Sequence, residues 1–175
     1  MKLPFQNTYW VIEGKLMAGM YPGGFSDASI LHRMQSLSEL GIKSIINLTD
    51  EEEEINYFTM IYNDKCERFE EIYCRELLHT RFTIKDMDIP TKDLMKKILD
   101  KIDEDLDNDH PVYLHCIGGT GRTGTVIGCY MLRHNLVNKD KVFEKIHLLR
   151  GDGKESPETE EQRQFVLDWN EKETR

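Results

Sequence analysis

No stretch of the 175 residues is apolar for long enough to span a bilayer. The opening Met1-Lys2-Leu3-Pro4-Phe5-Gln6-Asn7 lacks the apolar core of a secretory leader. Positive charge is also short: 23 Lys and Arg stand against 32 Asp and Glu, a formal net charge of −9. That balance excludes a general nucleic-acid or acidic-membrane binder, which needs a basic face, but it leaves room for a local cationic pocket. Cysteine is scarce, with Cys66, Cys74, Cys116 and Cys129 the only four and no C-x2-C pair among them, so no zinc site is spelled out and no metal or other cofactor is expected. Internal repeats and low-complexity linkers are missing too. What remains is an ordinary hydrophobic share of 39%, which suits one domain with a single core, expected over residues 1–175 as a monomer with no membrane span.

The most informative stretch runs from Val112 to Val126. An apolar run, Val112-Tyr113-Leu114, ends at His115-Cys116; a glycine-laden loop follows, and an apolar helix begins after Arg122. Five residues separate Cys116 from Arg122, and three of them are Gly118, Gly119 and Gly121. So small a loop can turn its backbone N–H groups inward as a nest for an anion, and the helix that opens behind it adds its own free N–H groups and positive dipole end. Arg122 presents a planar fork that matches two phosphate oxygens. Cys116 sits under the same converging donors, a setting that favours the thiolate, and a thiolate facing a bound phosphate is placed for in-line attack. The Thr123 hydroxyl is expected to donate to the sulfur and stabilise it as a leaving group. The substrate-contacting positions are then Ile117, Gly118, Gly119, Thr120, Gly121 and Arg122. Gly119 to Val126 superficially matches a nucleotide-binding loop, but Thr125 stands where that motif requires lysine.

The rest of the chain alternates strands and helices early and gathers helices late. Tyr9 to Met20 reads as two strands turning at Glu13-Gly14. Ser26 or Asp27 caps a helix with Ile30, Leu31, Met34, Leu37 and Leu40 on one face, ended by Gly41. Ile42–Leu48 reads as a buried strand and Arg75–Phe82 as another. Thr91 caps a helix to about Leu106, and two further helices are expected near Lys139–Leu149 and Thr159–Trp169. The acidic run Asp50 to Glu54 reads as a solvated loop or helix start, and Ile55–Glu71 is ambiguous between helix and loop. The expected fold is α/β: a central, mostly parallel, twisted sheet flanked by helices, with the phosphate loop between a strand and a helix.

His115, Cys116, Gly118, Gly121, Arg122, Thr123 and Gly124 together resemble the signature of the cysteine-dependent protein phosphatases, the tyrosine and dual-specificity superfamily, in a compact bacterial-like or atypical form. The resemblance implies hydrolysis of phosphate monoesters on proteins, phosphotyrosine first and phosphoserine or phosphothreonine besides, through a phosphocysteine intermediate. It assigns catalysis to Cys116, Arg122 and an aspartic acid on a mobile loop about 30 residues earlier. Ile84-x-Asp86-x-x-x-Pro90 resembles that loop, with Asp86 preferred as general acid over Asp88, which reads as a helix N-terminal acid. His115 is implied to orient the loop and tune the sulfur. Glu158-Thr159-Glu160-Glu161-Gln162-Arg163-Gln164-Phe165 is similar to a water-positioning segment of the larger tyrosine phosphatases, although Glu158 replaces its first glutamine. Gln162 is therefore a supporting candidate, with a plain helix-surface residue as its alternative reading, and Asp86 an alternative base for the water. A thiolate mechanism needs a reducing setting, so a cytoplasmic location is expected. The variable loop positions carry no lysine, which places phosphoinositides or RNA 5′-phosphates second as substrates. A non-catalytic phosphoprotein-binding module is the reading from another class. Cys66, Cys74 and Cys129 default to core residues.

Overall fold

The computed structural model describes residues 3–24, 26–53, 57 and 77–170. β1 (Thr8–Ile12) and β2 (Leu16–Gly19) pair antiparallel around the expected Glu13-Gly14 turn. α1 (Asp27–Glu39) starts at Ser26, whose hydroxyl accepts from the Ser29 N–H at 3.3 Å, and ends just before Gly41. β3 (Ser44–Asn47) and β4 (Leu78–Arg81) are the two strands expected at 42–48 and 75–82, each trimmed at its ends. Residues 75 and 76 lie outside the described residues, as do Cys66, Cys74 and, apart from Tyr57, the ambiguous segment 55–71.

α2 (Lys92–Asp107) is capped by Thr91, whose hydroxyl accepts from the Leu94 N–H at 3.1 Å. Its stripe of Met95, Ile98, Leu99 and Ile102 is fully buried, each side chain contributing about 1.5–3 kcal/mol against exposure. β5 (Val112–His115) leads into α3 (Gly121–Arg133). The helix expected over 139–149 is two pieces, a 3-10 turn at Lys139–Lys141 and α4 (Val142–Arg150), because no side chain caps its first turn. α5 (Glu160–Leu167) closes the described chain, opened by a reciprocal Thr159–Gln162 capping box.

The sheet order is β1-β2-β5-β3-β4, with every neighbour after the first hairpin parallel. Alternation along the strands makes two cores. Leu16, Ala18, Ile46, Val112 and Leu114 face the layer of α2 to α5, while Met17, Ile45 and Tyr113 face α1. The central strand is β5, and at its carboxyl end Gly19, His115, Asn47 and Arg81 stand in one row across four strands. The loop after His115 thus leaves from the middle of the sheet at the edge where open α/β sheets bind ligands. Among the described residues no helix is long and apolar enough to cross a membrane.

Candidate active site

Cys116 follows β5 directly and is 3% exposed. The Gly119 N–H donates to its Sγ at 3.3 Å, so at least one loop amide is aimed at the sulfur. Gly119 takes φ +70°, and a Cβ there would lie 2.3 Å from the Gly19 carbonyl carbon: both the backbone angle and the space demand glycine. Thr123 is in place on the first turn of α3, but its hydroxyl accepts from the Cys116 N–H at 2.9 Å, which fixes the nucleophile's own backbone.

Arg122 is buried, and both terminal nitrogens of its guanidinium are bonded. Nη1 donates to Glu53 Oε2 at 2.5 Å and to the Ile84 carbonyl at 3.0 Å. Nη2 meets Glu53 Oε1 at 2.8 Å and Asp86 Oδ1 at 2.9 Å. Glu53 is a correction to the reading of Asp50 to Glu54 as solvated: one carboxylate of the run turns in and grips the arginine bidentately. Burial alone would raise the Glu53 carboxyl, but the Arg122 bonds, the Asp50 N–H and the Arg122 and Arg81 charges together outweigh it and hold the group below its ordinary range. Burial likewise disfavours the charged Arg122, and the Glu53 bond together with the Cys116, Glu53 and Asp86 charges more than restores it.

Of the two aspartates weighed for the acid, the structure brings Asp86 to Arg122, with 70% of its side chain exposed. Asp88 instead turns its carboxylate onto the adjacent Ile89 N–H at 2.8 Å. Gln162 is fully buried, so the surface reading of that residue is wrong. Its Nε2 donates to the Asp88 carbonyl at 3.1 Å, and its Oε1 accepts from the Glu158 and Thr159 N–H groups, both at 3.2 Å. Gln162 thereby ties the acid-bearing loop to α5.

His115 is buried, and burial pushes it down to about 3, so the ring is neutral. Its Nδ1–H donates to the Cys116 carbonyl at 3.0 Å, which leaves Nε2 to accept from the Tyr57 hydroxyl at 2.7 Å. Tyr57 Oη in turn lies 3.1 Å from His79 Nε2, and burial and then Arg81 push His79 down to about 4. Tyr57, His79, Glu53 and Arg150 are the neighbours of the loop that sequence reasoning missed; no motif marks them. Cys129 is free and buried in the core, as expected.

Asp86, Met87, Cys116, Gly118, Thr120, Gly121, Arg122, Glu158 and Gln162 line one small pocket. Ile117 and Gly119 belong to the loop but not to that lining; Ile117 is 38% exposed. Arg122 is the one cation among the described residues of the lining.

A mostly parallel sheet whose central strand delivers a cysteine into a glycine loop, followed by a buried arginine at the start of a helix, defines the cysteine-based phosphatase fold. The core catalytic domain of the PP-IP phosphatase Siw14 from Saccharomyces cerevisiae shares it, with a TM-score of 0.71 at 18% identity over 99% of this chain and 91% of that one. The chain belongs to the family described as "Polymorphic toxin system, DSP-PTPase phosphatase", whose profile matches residues 18–136. The uncharacterized protein MJECL20 of Methanocaldococcus jannaschii is 34% identical over 86 residues, 49% of this chain and 55% of that protein. The tyrosine-protein phosphatase CDC14 homolog of Schizosaccharomyces pombe is 28% identical over 72 residues, 41% of this chain and 13% of that protein. The alignments thus span little more than half of the first relative and a small part of the second.

Proposed function

We propose that the chain, as a single phosphatase domain over residues 1–175, hydrolyses phosphate monoesters on proteins, phosphotyrosine foremost, through a phosphocysteine on Cys116. The observation that carries this reading is the convergence on one pocket of the Cys116 sulfur, a loop amide aimed at it, the Arg122 guanidinium and the Asp86 carboxylate. The incoming phosphate takes the Arg122 face where Asp86 now sits, and the displaced carboxyl, protonated beside the dianion, turns to the ester oxygen. The Cys116 thiolate forms an S–P bond as the P–O bond to the leaving group breaks, and Asp86 gives its proton to the departing oxygen. Asp86, now ionised, takes a proton from water as that water attacks phosphorus; the S–P bond breaks and phosphate leaves. Gln162, buried against the pocket, positions that water, and His115 and Thr123 hold the cysteine backbone. Arg122 and the amides of residues 117 to 121 stabilise charge on the equatorial oxygens.

The thiolate chemistry supports a reducing, cytoplasmic setting. An inositol phosphate substrate is the second reading, favoured by the likeness to Siw14. Asp86 and Glu158 in the lining, with Arg122 the one cation there among the described residues, disfavour so highly charged a ligand. Hydrolysis of p-nitrophenyl phosphate in EDTA, lost in Cys116→Ser and Arg122→Ala, is the expected result. Full activity in Cys116→Ser contradicts the proposal. A panel of phosphopeptides, inositol phosphates and phosphoinositides run beside it separates the two substrate readings, and binding of phosphopeptide without turnover by the wild type supports a recognition module instead.

A further inference from the structure

An anion nest works only if its peptide N–H groups face the anion, and in a planar trans peptide the carbonyl then faces the other way. Each carbonyl of residues 116 to 120 meets a donor. The Cys116 carbonyl accepts from His115 Nδ1 at 3.0 Å, and the Ile117 carbonyl from the Tyr21 N–H at 2.9 Å. The Gly118 carbonyl accepts from Thr120 Oγ1 at 3.3 Å. The Thr120 carbonyl accepts from Ser156 Oγ at 2.7 Å and from the Gly124 N–H at 3.1 Å. The Gly119 carbonyl accepts from Arg150 Nη1. The donors engage all five carbonyls, and the Gly119 N–H on Sγ is the loop amide seen aimed at the sulfur.

The Gly119–Thr120 peptide follows a glycine, whose ψ is less restricted than that of residues with a Cβ, so its orientation depends on outside contacts. That peptide is also the one held by a charged side chain from outside the loop and helix α3. Arg150, the last residue of α4, is 7% exposed and spans the gap with three sets of contacts. Its Nη2 reaches Thr120 Oγ1 at 3.3 Å as well as Asp152 Oδ2 at 2.6 Å, while Nε meets Asp152 Oδ1 at 3.3 Å. Its guanidinium carbon lies 5.7 Å from the centre of the Tyr9 ring. Burial would raise the Asp152 carboxyl, but the bond to Arg150, the Lys154 N–H and the two nearby cations together hold it below its ordinary range.

We infer that Arg150, oriented by Asp152, is a positioning residue of the anion cradle: by holding the Gly119 carbonyl outward it keeps the Thr120 amide turned to the phosphate. Resting as it does on the phosphatase reading, the inference adds a second arginine that never touches substrate. Without it the peptide is free to rotate, and a carbonyl oxygen turned inward would repel both the phosphate and the thiolate.

The test compares the wild type with Arg150→Met, Arg150→Lys and Asp152→Asn. Three quantities are read: the inhibition constant for inorganic phosphate, the KM for p-nitrophenyl phosphate, and the pH midpoint of Cys116 alkylation by iodoacetamide. In Arg150→Met the phosphate constant and KM are expected to rise about 10- to 100-fold, the scale of a lost charged hydrogen bond, and the alkylation midpoint to move to higher pH. Arg150→Lys recovers part of each, and Asp152→Asn lies between it and the wild type. A fall in Tm with all three quantities unchanged would mean that Arg150 only supports the fold, and the inference is overturned. Should Arg150→Met fail to fold, unchanged binding and alkylation in both milder variants has the same force. A wild type that neither binds phosphate nor turns over the ester defeats the phosphatase reading itself and the inference with it, a result distinguishable from a normal wild type with indifferent variants.

Discussion

The back and the front of the phosphate loop are built from opposite materials. Behind it stand buried groups: neutral His115, Arg150 paired with Asp152, Ser156 and Thr123. In front stand carboxylates on Arg122, one of them, Asp86, largely exposed. Buried hydrogen-bonded groups cost about 1–3 kcal/mol to disturb and so hold one geometry, whereas a carboxylate that is largely in water gives up little solvation or ordering when it leaves its partner. The floor of the site is therefore fixed, and its front is an ion pair that a dianion can replace. Glu53, only 22% exposed and bidentate, belongs with the fixed part although it faces the same arginine.

The largest effect that separates the two front carboxylates is expected from Asp86→Asn. It should lower kcat by about 10²–10⁴-fold, the range for loss of a general acid, and much more than Asp88→Asn, as read by steady-state hydrolysis of an aryl phosphate. The opposite order moves the acid to Asp88. Next comes Glu53→Gln, which leaves Arg122 with a neutral partner. About a tenfold rise in KM with a smaller change in kcat is expected from loss of the charged pairing. An unchanged KM would place Glu53 with the exchangeable carboxylates.

The smallest effect concerns the buried histidines. His115 at about 3 and His79 at about 4 are both depressed from 6.5 by burial. Below pH 6.5 the unfolded chain takes up protons that the folded chain refuses, so stability is full above that pH and falls as the pH drops toward 4. His79→Asn should flatten the acid-side slope of unfolding free energy by at most about 1.4 kcal/mol per pH unit, measured by urea titration. A variant with the wild-type slope contradicts a neutral His79 in the Tyr57 chain.

The same division explains what could be read from the amino-acid order. Cys116 to Arg122 is contiguous, and chemistry written in consecutive residues is legible without a fold. α2 announced itself by the Thr91 cap and the spacing of Met95, Ile98, Leu99 and Ile102. Glu53 did not, because five neighbouring acids look alike until one of them meets an arginine 69 positions away. Tyr57 is 58 positions from His115, and Arg150 is 31 from Gly119, and no local pattern marks either. Gln162 lay within a familiar-looking segment, but its burial depends on Gly121 leaving room: a Cβ there would come within 2.8 Å of its Oε1. The 3-10 start of α4 reflects a missing cap, a weak signal against the strong apolar spacing that follows.

The proposed chemistry passes through a covalent bond between the sulfur of Cys116 and phosphorus, and trapping that bond tests it most directly. Asp86→Asn, which slows both halves of the reaction, mixed with a reactive aryl phosphate and quenched in acid within milliseconds to seconds, should yield a Cys116-containing peptide carrying one phosphoryl group by mass spectrometry. Turnover that continues while this peptide stays unmodified, or a phosphoryl group found on another residue, would contradict the account.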